Sequence, residues 1–210
     1  MAQLRHALDL QEGGDLLVKH VRQCGFSIIE LSVALTIAGV LLALGAPAMS
    51  GYLQNARLGS MAQGIYSGLQ SARVEAVKRN APVEFVLTDS SLETATADTV
   101  VLNTTGHNWV VRARPSASDP YTSIEKKGNN AGDVGGVVVT ATSPQVVFNS
   151  LGGSGTGAAT TVALTNPALG LCHPAGPVRC WNVVVQAGGQ VRLCSPDNTL
   201  AASDSRACPP

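Results

Sequence analysis

Apolar positions change their period twice along this chain. From Phe26 to Met49 they are nearly continuous, and FSIIELSVALTIAGVLLALGAPAM holds one ionisable side chain, Glu30. As a helix this run would be about 36 Å long, against a bilayer hydrocarbon core of about 30 Å, and it has no polar face to turn toward water. It predicts a membrane-spanning helix over 26–50. Pro47, between Gly45 and Gly51, lacks the amide hydrogen that a helix interior uses, which predicts a kink there. Beyond Gly51 apolar residues recur at helical spacing, at Leu53, Met61, Ile65, Leu69, Ala72 and Ala76. Arg57, Gln63, Gln70, Arg73, Glu75 and Lys78 fall largely outside that stripe. An amphipathic helix over 51–80 follows, and Lys78-Arg79-Asn80 with Pro82 just beyond supplies its stop.

From 81 onward the period shortens. Val83–Leu87, Val100–Leu102, Trp109–Arg112, Gly136–Thr140, Gln145–Phe148, Thr161–Leu164, Asn182–Gln186 and Val191–Leu193 are short β-branched runs separated by turn residues. Ala187-Gly188-Gly189-Gln190 reads as a hairpin turn between two valine-rich strands. The stretch 112–135, with Pro115, Pro120, Asn129 and Asn130, reads as an irregular loop. The expected fold is α+β: a long N-terminal helix, membrane-spanning in its first half and amphipathic in its second, packed on a head of antiparallel β-sheet over 81–210.

Composition removes several functions. The 210 residues carry 14 basic and 14 acidic side chains, so no global field draws the chain onto nucleic acid or an anionic surface. Aromatics make up only 4%, so the core must be built from light residues. Gly152-Gly153-Ser154-Gly155-Thr156-Gly157 reads as a flexible turn; it lacks the lysine and the strand–loop–helix setting of a phosphate loop. Four histidines are present, and no paired-carboxylate, Ser-His or zinc-protease signature stands beside them. The chain reads as a non-enzyme with no cofactor. Ala43, Ala46 and Ala48 could serve an ordinary secretory signal. Against that, the apolar run exceeds such a signal's core and passes into helix without a turn-rich break.

Gly25-Phe26-Ser27-Ile28-Ile29-Glu30-Leu31, immediately before the apolar run, resembles the processing site of type IV prepilins and type II secretion pseudopilins. Ser71 to Arg79 is similar to the helix end of the FimT, FimU and GspH branch of minor pilins and pseudopilins. The resemblance implies that residues 1–25 are a leader removed by a prepilin peptidase, which cuts after Gly25 and methylates the new N-terminal Phe26. It implies that Phe26 and Glu30 take part in subunit assembly, and that Pro47 is the family's helix-kinking proline. The implied protein is a minor type IV pilin, a structural or priming subunit held by inner-membrane lipid with its head in the periplasm, then packed among other pilins. A GspH-like pseudopilin of a type II secretion system is the alternative. A DNA-binding minor pilin of natural transformation is another: some relatives contact phosphates through a Gly-Arg-x-Arg hairpin, where this chain has Gly188-Gly189-Gln190-Val191-Arg192. Arg179 and Arg192 are the DNA candidates, but beyond residue 170 only Arg206 joins them, against Asp197 and Asp204.

Of 5 cysteines, Cys24 lies in the implied leader, and Cys172, Cys180, Cys194 and Cys208 lie near the C-terminus. In an oxidising compartment an even set suggests disulfides, with three pairings open. Cys172–Cys180 with Cys194–Cys208 is favoured, since each closes a local loop with little core of its own; Cys180–Cys194 with Cys172–Cys208 is the competitor. Zinc on Cys172, His173, Cys180 and Cys194 does not match the spacing of finger or ribbon sites.

A lone carboxylate in hydrocarbon costs about 2.5–3.5 kcal/mol on insertion scales, so Glu30 needs a partner or the interface. It lies one helical turn from Phe26, whose freed α-amino group, or that of a neighbouring subunit, would supply the cation. Glu30→Ala is therefore expected to lower incorporation into filaments, read by immunoblot of sheared filaments; unaltered incorporation would count against this pairing.

Overall fold

The structure is a computed structural model that describes residues 27–128, 135–155 and 157–209, with the side chains of 45–48 outside the description. Helix α1 (Ile28–Arg79) runs for 52 residues. Its first backbone bond is donated by the Leu31 amide to the Ser27 carbonyl at 3.0 Å. Its end is set by Asn80, whose φ of 50° lies in the left-handed region that Asn tolerates. There the Asn80 amide donates to the Val77 carbonyl and the Ala81 amide to that of Ala76, each at 3.2 Å. That paired bonding is a Schellman stop, and Pro82 prevents any continuation.

The chain divides after Leu44 into two units. In the first, every described side chain is exposed, from Ile28 at 88% to Leu44 at 73%. In the second, one face of α1 is buried by Leu58, Met61, Ala62, Ile65, Leu69, Ala72 and Ala76. Two positions depart from the predicted stripe. Leu53 is half exposed at 50%, whereas Leu58, outside the predicted set, is fully buried.

The head contains strands β1 (Val83–Thr88), β2 (Asn108–Ala113), β3 (Thr122–Lys127), β4 (Val138–Ala141), β5 (Gln145–Phe148), β6 (Thr160–Thr165), β7 (Trp181–Val185) and β8 (Val191–Cys194). They form two four-stranded sheets, ordered β3-β2-β1-β5 and β4-β6-β7-β8, with all pairs antiparallel. Both sheets turn one face to α1, so Phe85, Leu87, Trp109 and Val111 share a single core with Val139, Val162, Leu164, Val183 and Val185. Phe85 and Trp109 stand 5.6 Å apart between ring centroids, close enough for a tilted aromatic contact.

Three β-region expectations need correction. The stretch 112–135 is not wholly irregular, because Thr122–Lys127 is the edge strand β3. Its sequence TSIEKK shows no apolar alternation, since only Ile124 is even half-buried. An exposed edge favours charge, which blocks unwanted pairing and erases the strand signal. Val100–Leu102 forms no strand; only Leu102 bridges to Thr88. Val100 instead packs with Leu92 over Val86 and Val110, covering the outer face of β1 and β2. The glycine segment 152–155 is tied down rather than loose: the Gly155 amide donates to the Val147 carbonyl at 2.7 Å, and Arg73 Nε to the Gly152 carbonyl at 3.0 Å. It also abuts the β7–β8 turn, where Gly189 has φ +79° and an added Cβ would lie 1.9 Å from the Gly152 oxygen. Only glycine fits there.

The outer face near β3 is pinned by charge. Arg112 Nε donates to Glu84 at 2.9 Å, its Nη1 donates to the Ala97 carbonyl at 2.7 Å, and its guanidinium lies 3.9 Å from the Tyr121 ring centroid. Tyr121 donates its hydroxyl to the other Glu84 oxygen at 2.6 Å. Burial, then Glu84, pushes the Tyr121 phenol above its ordinary range.

Gly68 faces the core, and a methyl there would lie 2.8 Å from Trp109 Cη2 and 3.0 Å from Phe85 Cε2. Alanine gains about 1 kcal/mol in helix propensity, but overpacking a filled core costs about 1–3 kcal/mol. Gly68→Ala is expected to destabilise the chain by about 1 kcal/mol or more on balance, measured by denaturant unfolding. A stability gain would contradict this close approach.

Candidate functional site

The N-terminal part of α1 is built for contact with something apolar. Ile28, Ile29, Leu31, Val33, Leu35, Ile37, Val40, Leu41, Leu42 and Leu44 are all more than half exposed. Its hydroxyls are satisfied within the helix: Ser32 donates to the Ile29 carbonyl and Thr36 to the Ser32 carbonyl, each at 2.8 Å. That matters where no water can serve them. Glu30 sits in the first turn, exposed, and is the only acidic residue there. Among the described residues no single helix is long and apolar enough to cross a membrane; Ile28–Leu44 and Met49–Arg79 pass that test only together. Gly25 and Phe26, the expected cleavage and methylation positions, lie outside the described residues, as does the side chain of Pro47.

At the other end of the chain, Cys172 is bonded to Cys180 and Cys194 to Cys208, closing loops of sequence separation 8 and 14. Each is expected to contribute about 2–4 kcal/mol by restricting the unfolded chain. The four sulfurs are thereby spent, which removes the thiolates a zinc site would need. The two loops are joined by a hydrogen bond between His173 Nδ1 and Asp197 Oδ2 at 2.7 Å. Asp197 is buried, and its other oxygen accepts from the Thr199 amide at 2.9 Å and the Thr199 hydroxyl at 2.6 Å. The Thr199 hydroxyl first, then its amide and His173, hold the Asp197 carboxyl below the ordinary carboxylate range. Arg206 donates through Nε and Nη2 to Asp204, at 3.1 and 2.8 Å, which lowers that carboxyl to about 2.

Between the loops lies a cavity of about 520 Å³ lined by the polar side chains of His173, Arg179, Asp197 and Arg206, with Trp181 and Leu200 as apolar walls. Arg179 is placed by its backbone, which donates to Asn55 Oδ1 of α1 at 2.9 Å, while Asn55 Nδ2 donates to the Pro177 carbonyl at 3.4 Å. The two arginines singled out from the sequence part company here. Arg179 lines the cavity; Arg192, on β8, does not, and its Nη2 donates to the Ser205 carbonyl at 3.4 Å. Arg206 and His173 take its place beside Arg179. The sequence carried no sign of the anchoring Asn55, which lies 124 positions from Arg179.

The family described as Type II transport protein GspH matches residues 61–189, and the Prokaryotic N-terminal methylation motif matches residues 21–46. Among solved structures the chain is similar to the type IV minor pilin FimU of Pseudomonas aeruginosa, at 14% identity and a TM-score of 0.45, over 68% of this chain and 91% of that one. It is also similar to the minor pseudopilin EpsH from the Type 2 Secretion System of Vibrio cholerae, at 15% identity and a TM-score of 0.41, over 64% of this chain and 94% of that one. No curated protein matches it.

The lowered Asp197 value has a consequence for stability. Its folded value lies below the unfolded one of about 3.9, so its contribution is present above that pH and lost as pH falls through the folded value. Thr199→Ala removes the largest cause of the lowering. The variant is expected to be less stable than the parent near neutral pH, with the gap narrowing in strong acid, as read by denaturant unfolding at both. A gap that stays constant would assign Thr199 a packing role instead.

Proposed function

The chain belongs to the Type II transport protein GspH family, and from that premise we propose that it is a minor type IV pilin, a structural or priming subunit of a filament. One observation carries this reading. The methylation motif over 21–46 runs into a helix whose side chains from Ile28 to Leu44 are exposed and, except for Glu30 and the self-satisfied Ser32 and Thr36, built from apolar or small residues. Burying a leucine- or isoleucine-sized side chain is worth about 1.5–3 kcal/mol, so this surface is driven first into lipid and then against neighbouring helices.

In this reading the leader over 1–25 is removed by a prepilin peptidase, and Phe26 becomes the methylated N-terminus. Residues 26–50 hold the subunit in the inner membrane as a single pass, with the head on the periplasmic side. On extraction the same helix enters the filament core, where Glu30 meets the amine of Phe26 or of a neighbour. Pro47 supplies the kink that lets the stalk pack. The role is structural and uses no catalytic group. The family's description favours a second reading, a pseudopilin of a type II secretion system, with the same physics in a different machine.

Intact-mass spectrometry of the purified mature protein is expected to give a chain starting at Phe26 and carrying one methyl group. A chain starting beyond Met49 would overturn the filament reading. Deletion of the gene is expected to abolish pilus-dependent twitching; loss of enzyme export with twitching intact would select the second reading.

A further inference from the structure

We propose that the cavity between the two disulfide-closed loops binds a single carboxylate carried on an apolar or planar stem. The cavity, about 520 Å³, falls within the range of about 300–1,000 Å³ that small ligands occupy. Its walls are preorganised, since the loop 172–180 and the segment 194–208 are each closed by a disulfide and are joined through His173 and Asp197.

The hydrogen-bond donors left unengaged select the ligand. Asp197 is consumed by Thr199 and His173, and Arg206 is held by Asp204. The guanidinium of Arg179 makes no hydrogen bond or ion pair among the described residues, although its backbone is fixed to Asn55 at 2.9 Å. Arg179 is exposed, and of the two arginines that line the cavity it is the one whose guanidinium no carboxylate holds. A guanidinium presents parallel N–H donors that match a carboxylate bidentately. Trp181 and Leu200 provide the apolar surface on which a stem can lie. A single guanidinium that no carboxylate holds suits a monoanion. A run of phosphates draws its affinity from several cations, and here Arg192 lies outside the cavity.

The test uses the full chain in detergent micelles, with phenylacetate as the probe and saturation-transfer NMR as the readout. Saturable binding is expected, weakened about tenfold or more by Arg179→Gln and by replacing the probe with phenylacetamide, as loss of a charged hydrogen-bond partner implies. Arg179→Lys keeps the charge and is expected to retain part of the affinity, while Arg192→Gln leaves it unchanged. Near-UV circular dichroism checks that each variant keeps the parent's packing; the backbone bond to Asn55 does not depend on the Arg179 side chain. A tripeptide ending in phenylalanine, free or amidated at its C-terminus, separates two sources of the carboxylate: tighter binding of the free peptide than of phenylacetate assigns the site to a protein terminus, weaker binding to a small acid. Absence of saturable binding, equal binding of phenylacetamide, or equal loss in Arg192→Gln overturns the proposal. So does displacement of the probe by phenyl phosphate or single-stranded DNA at lower concentration than by phenylacetate.

Discussion

The two sheets of the head share one core because the buried face of α1 lies against both. That face runs from Leu58 to Ala76 and alternates large residues, Leu58, Ile65 and Leu69, with small ones, Ala62, Ala72 and Ala76. Large positions fill the space between Phe85, Trp109 and the inner valines of β6 and β7; small ones let the helix backbone come close. Gly68 takes this furthest on the helix, with the Trp109 ring only 2.8 Å from where its Cβ would lie. An interior this tightly packed tolerates little change in volume at such a contact. With aromatics at only 4% of the chain, tight approach of light residues takes the place of bulk.

The N-terminal part of the same helix meets the opposite requirement. Its backbone is satisfied by helical bonding and its hydroxyls by nearby carbonyls, so nothing but Glu30 asks for water. An apolar surface so little relieved by charge has no stable resting place in water. Glu30 is then the one ionisable side chain among the described residues of the segment, and hydrocarbon would demand a partner for it.

The C-terminal region is organised by a third means. Beyond β8 little apolar material remains to bury, and the chain is held by covalent closure and by polar anchors instead. The Cys194–Cys208 bond, the bridge between Ser195 and Ala207, and the buried Asp197 take the place of a core. Loops fixed in this way can surround a cavity without collapsing into it. Their carboxylates are held by neighbouring side chains, Asp197 by Thr199 and His173 and Asp204 by Arg206, whereas no carboxylate holds Arg179.

Legibility along the chain followed the strength of the local signal. The helix stop at Asn80, the β7–β8 turn at Gly189 and most strand positions could be read directly, because left-handed turns and buried alternation restrict residue choice within a few neighbours. β3 could not: an edge strand exposed to water has no apolar pattern to display. Val100 shows the converse, since an apolar residue can be buried under a loop as well as in a strand. Leu58 against Leu53 was a question of which side of the helix the sheets would cover. The division of the helix into an apolar and an amphipathic part, and the processing motif before it, are properties of consecutive residues and needed no fold to be recognised. The meeting of Arg179, His173, Arg206 and Trp181 around one cavity, anchored on Asn55 from 124 positions away, came only with the folded chain, because spatial convergence of distant polar groups leaves no periodic trace along it.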